Sequence, residues 1–72
     1  PLAGMVDLDA ERARLAKEIE GTRGEAERAR GRLANPAYVD KAPATVVEKD
    51  RARLAELQDR LARLQERLHA LG

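Results

Sequence analysis

The sequence predicts an all-α fold, a two-helix antiparallel coiled-coil hairpin, on three observations. Apolar residues recur at alternating three- and four-residue spacing in two separate stretches, prolines divide those stretches, and the bulky groups that fill a thick core are missing. The 72 residues hold one aromatic side chain, Tyr38, while charged residues reach 38%. That composition suits long helices burying one narrow seam, and so short a chain cannot surround a thick core. The molecule should be elongated.

The first helix is expected over about residues 7–34. Taking Met5, Arg12, Ile19, Ala26 and Leu33 as heptad a positions makes Leu8, Leu15, Thr22 and Ala29 the d positions. Asp7 is a good N-cap, and Asp9 and Glu11 suit the positive end of the helix dipole. The second helix is expected over about 43–71, on a seam of Val47, Asp50, Leu54, Leu57, Leu61, Leu64, Leu68 and Leu71. Gly72 is a natural terminator. Between the helices, residues 35–42 form a tip loop: Pro36 forces Asn35 out of helical geometry, and Pro43 fits the first turn of the following helix.

So short a link favours antiparallel helices, because a parallel return needs a connector as long as a helix. Facing residues then have a constant number sum. A sum of 76 recruits Met5 against Leu71 and keeps the turn short, so it is preferred to the slip of 83. Thr22, Ala26 and Ala29 thin the distal seam, Asp50 interrupts it, and Gly21, Gly24 and Gly31 weaken the first helix. The tip should therefore be looser than the root.

Chemistry is not expected within this chain. It has one His, no Cys, no Ser and no glycine-rich phosphate loop, so no catalytic residues, bound cofactor or metal are predicted. His69 falls on the outer face of the second helix, where a solvated surface role is the simpler reading. No apolar run approaches the roughly 18 to 20 residues that span a bilayer, and a soluble, cytoplasmic chain with no membrane partner is expected. The opening Pro1-Leu2-Ala3-Gly4 lacks an initiator Met, which suggests a single hairpin cut from something larger, with residues 1–6 as its lead-in.

Net charge is only +1, but it is sorted along the hairpin. Residues 23–53, the distal half, carry Arg23, Arg28, Arg30, Arg32, Lys41, Lys49, Arg51 and Arg53 against five acidic groups, a net +3 that leaves the root at −2. Arg53, Arg60 and Arg67 also recur every seven residues at g, drawing a basic line along one flank. A positive distal half can neutralise phosphates, and contacts there would read backbone and shape rather than bases. Tyr38 at the bend either stacks on an exposed base or packs over the helix ends, near Val39 and Val46; packing is preferred.

At the bend the residues become specific. The run from Asn35 through Tyr38, Val39, Lys41, Ala42, Pro43, Val46 and Val47 to Asp50 resembles the hairpin tip of the C-terminal arm of bacterial valyl-tRNA synthetases. That family reads there as Asn, an aromatic, an aliphatic, Lys or Arg, Ala-Pro and Val-Val or Val-Ile. The opening Pro1-Leu2-Ala3-Gly4-Met5-Val6-Asp7 resembles the family's approach to the same arm, so the likeness covers essentially the whole chain. Departures are Tyr in place of Phe at 38, Pro36, Asp in place of Glu at 50, and the glycines of the first helix.

The resemblance implies a parent that joins valine to tRNA with ATP and edits mischarged threonine, all in other domains. It implies tRNA as partner, met at the outer corner of the L where the D and T loops join, with Tyr38 and Lys41 at matching positions. The remainder of the synthetase is a second partner, and the hairpin is expected as a monomer. Rival readings are a structural or protein-binding hairpin, such as that of a ribosome-associated ATPase, and a coiled coil shared between two chains.

Overall fold

A computed structural model of the protein describes residues 7–72, so Met5 and the lead-in segment 1–6 lie outside the described residues. Three helices follow in order: α1 (Leu8–Leu33), α2 (Pro36–Lys41) and α3 (Ala44–Ala70). α1 and α3 pack antiparallel into a rod measuring 57 × 17 × 15 Å. The two long helices match the expected hairpin.

α1 starts where the sequence places a cap: Asp7 is extended, and its carboxylate accepts from the Ala10 N–H at 3.1 Å. One of the orphan donors of the first turn is thereby satisfied. α3 ends at Ala70 with Leu71 as its C-cap, followed by Gly72 at φ +83°, a left-handed conformation that glycine adopts without steric cost.

The tip departs from the expected loop. Asn35 is extended, as the following proline demands, but Pro36 then opens a helix instead of prolonging the break. A proline fits the first helical position because its missing N–H would be unpaired there, and the Asn35 side chain caps the turn by accepting from the Ala37 N–H at 3.1 Å. α2 closes when the Ala42 N–H reaches the Tyr38 carbonyl at 2.9 Å. Pro43 is the extended residue before α3, not a member of its first turn.

The buried seam comprises Leu15, Ile19, Thr22, Ala26 and Ala29 of α1 with Val47, Leu57 and Leu64 of α3. Leu15, Ile19 and Leu64 form its root cluster, against which Leu61, Leu68 and Leu71 pack. The contacts correct the preferred register. The Arg12 guanidinium donates to the carbonyls of Leu71 at 3.2 Å and Gly72 at 3.4 Å. With a partner sum of 76, Arg12 would face Leu64, seven residues or roughly 10 Å short of Leu71.

The slip of 83 fits these contacts, and its cause is electrostatic. It moves the one charged a residue of the first helix, Arg12, from the middle of a leucine cluster to the end of α3. There, free carbonyls accept its hydrogen bonds and the helix dipole favours a cation. The same slip sets Thr22, Ala26 and Ala29 opposite Leu61, Leu57 and Leu54, small against large. Leu8 is left 44% exposed.

Candidate nucleic-acid interface

The expected binding residues come from three elements: Arg23, Arg28, Arg30 and Arg32 from the second half of α1, Tyr38 and Lys41 from α2, and Lys49, Arg51 and Arg53 from the first half of α3. Helical periodicity divides them. Arg28, Arg32 and Arg53 come together along one groove between the long helices, with Glu25, Ala29 and Leu57 as its other walls. Arg23, Arg30 and Arg51 occupy e positions and face the opposite flank.

Their ionic surroundings also differ. Arg23 bonds Glu20 at 2.8 Å, Arg30 lies 4.0 Å from Glu27, and Arg53 bridges across the hairpin to Glu25 at 3.2 Å with Glu56 at 3.7 Å. Among the described residues, Arg28, Arg32, Lys41, Lys49 and Arg51 have no carboxylate within 4.0 Å. All but Arg28 and Arg32 sit on the tip-ward turns of α2 and α3, and all five are exposed. At the root, Arg12, Arg14, Arg60 and Arg63 each have an acidic partner, and of the described basic residues there Lys17 and Arg67 have none within 4.0 Å, against five such residues toward the tip. Unneutralised positive charge therefore concentrates toward the tip, where a phosphate could replace bulk counterions without first breaking an ion pair.

Tyr38 is half-buried, and its hydroxyl donates to the Asp50 carboxylate, tying α2 to α3. This bond, together with partial burial and the Asp50 charge, holds the phenol above its ordinary pKa; the nearby Arg32 guanidinium opposes the shift. The residue is thus a tether at the bend. Asp50, read from the sequence as a flaw in the seam, is the acceptor of that tether. Its position twelve residues beyond Tyr38 reflects the path of the tip and no helical period.

A second groove was not anticipated. Glu18, Arg60, Arg63, Leu64 and Arg67 line it, nearer the root. The g-position line of Arg53, Arg60 and Arg67 was its only sequence signal. Among the described residues no group of three or more His, Cys, Asp or Glu could hold a metal ion, and no helix is long and apolar enough to cross a membrane.

Comparison with protein families matches residues 7–72 to the valyl tRNA synthetase tRNA binding arm. The valine–tRNA ligase of Xanthomonas oryzae pv. oryzae (strain PXO99A) is 52% identical over 66 residues, covering 92% of this chain and 7% of the ligase. Those of Xylella fastidiosa (strain M12) and Laribacter hongkongensis (strain HLHK9) are 48% and 51% identical over 67 residues, covering 93% of this chain and 7% of each ligase. The chain thus spans about 7% of the length of these relatives. No solved structure matches it. A helical hairpin with free positive charge at its tip, matched over 66 of its residues, belongs to the family of valyl-tRNA synthetase tRNA-binding arms.

Proposed function

We propose that this chain is the arm with which a valine–tRNA ligase grips the outer corner of its tRNA, while other domains carry out ATP-dependent aminoacylation in the cytoplasm. The observation that carries the reading is the cluster of basic side chains without acidic partners, Arg28, Arg32, Lys41 and Lys49, on a rod whose family is a tRNA-binding arm. Arginine forks and lysine ammonium groups on an exposed surface suit phosphates, whose contacts position a nucleic acid without reading its sequence. The arm acts by adding binding area, so its loss should weaken tRNA affinity and leave amino-acid activation intact. The two long helices complete each other's seam, which supports a monomeric hairpin over a coiled coil shared between chains.

The test is a ligase carrying Arg28→Gln, Arg32→Gln, Lys41→Gln and Lys49→Gln together. Valine tRNA affinity should fall and become less salt-dependent, since each lost phosphate contact removes roughly 0.7 to 0.9 from the slope of log affinity against log salt. Unchanged affinity and slope would sink the proposal and favour a protein-docking hairpin.

A further inference from the structure

Both grooves open on the same side of the rod. The distal groove is lined from c and g positions by Arg28, Arg32 and Arg53, and the root groove from the same two positions by Arg60, Arg63 and Arg67. In an antiparallel pair the g positions of the two helices border one another, and the c positions stand just outside them. The cross-helix pairs Glu25 with Arg53 and Glu18 with Arg60 show this bordering directly. Across α1 and α3 this flank holds eight basic and four acidic residues, whereas the e and b flank holds three basic and four acidic. The one flank is thus +4 and the other −1, a contrast around the rod as large as that between tip and root.

We infer that the phosphate-binding surface is the whole g and c flank, so that Arg60, Arg63 and Arg67 of the root groove contact RNA backbone as the tip residues do. This rests on the tRNA-binding reading above and extends it from one end of the rod to one side. Arg53, Arg60 and Arg67 stand seven residues apart, roughly 10 Å at 1.5 Å per residue, so the line can follow a strand of phosphates for several nucleotides. Glu18 and Glu25 act as resident counterions. Glu18 holds Arg14 at 2.7 Å and Arg60 at 3.8 Å, and Glu25 holds Arg53 at 3.2 Å. Exposed pairs of this kind are weak, and a phosphate can displace the carboxylate. The acidic root total conceals this flank because its excess negative charge lies elsewhere around the rod.

The test compares three sets of substitutions in the full-length ligase, titrated with an unmodified valine tRNA transcript from 50 to 200 mM salt. The root set is Arg60→Gln, Arg63→Gln and Arg67→Gln; the opposite-flank set is Arg23→Gln, Arg30→Gln and Arg51→Gln; the third is the tip set above. The root set should lower the salt slope by about 2 and the opposite-flank set should leave it unchanged. Glu18→Gln alone should tighten binding, an outcome that damage to the fold does not produce. A root set without effect beside an effective tip set overturns the flank and spares the arm's function. If no set changes the slope, both readings fail.

Discussion

Leu64→Ala is the substitution that best tests where the stability of this hairpin resides. Leu64 is 3% exposed, and it completes the root cluster with Leu15 and Ile19 while Leu61, Leu68 and Leu71 close around it. Fully burying a leucine side chain is worth roughly 1.5 to 3 kcal/mol, and Leu→Ala in a core costs about 2 to 5 kcal/mol once the cavity is included. A two-helix seam is open along both flanks, so neighbours and water can partly fill the space. The expected loss is therefore about 2 to 3 kcal/mol, in the lower part of that range. For a domain of this size each kcal/mol corresponds to about 4 to 8 °C, so Tm should fall by about 10 to 20 °C.

Leu54→Ala is the control. Leu54 is only half-buried and faces the small side chain of Ala29, so the loss should be about 1 kcal/mol, or roughly 5 °C. Thermal and urea unfolding followed by far-UV circular dichroism reads both variants. Hydrogen exchange should show the same gradient, with amides of α2 and the first turns of α3 exchanging before those around Leu64. Equal losses at the two positions, or uniform protection along both helices, would refute a root-anchored hairpin.

Three further outcomes follow from particular contacts. A Cβ added at Gly21 or Gly31 meets nothing within 4 Å, so Gly21→Ala with Gly31→Ala should stabilise the chain by about 1 to 2 kcal/mol; a lower Tm would contradict the open space at both sites. Arg12→Gln should destabilise slightly, because the Leu71 and Gly72 carbonyls lose their charged donor; a Tm that is unchanged or higher would count against those two hydrogen bonds. The phenol of Tyr38, watched by its ultraviolet absorbance, should titrate above the ordinary tyrosine range, and in Asp50→Asn the midpoint should move back toward it. Because the folded-state pKa is the raised one, the tether's contribution is fully present below the unfolded tyrosine pKa and is lost as pH rises through the higher folded value. Alkaline unfolding that is identical in wild type and Tyr38→Phe would count against the tether.

By itself the sequence determined the two long helices, their antiparallel return and their ends to within a residue. Those features follow from local rules: leucine at heptad spacing, a carboxylate at position 7, prolines at 36 and 43, and glycine at 72. The family was legible in the residues of the bend, and the comparisons bear it out. Only the tertiary structure decided the register, since 76 and 83 both keep every a residue beside a d residue. The choice turned on where the Arg12 charge could find acceptors. The tip was decided in the same way. Pro36 reads as a break in one helix, yet with the Asn35 oxygen beside it the same ring starts another, and the Tyr38 hydroxyl finds Asp50 only once that short helix folds back. Charge along the chain was visible as a sum, but charge around the rod depends on which flanks two helices turn toward each other, and a linear sequence holds that information only after the pairing is known.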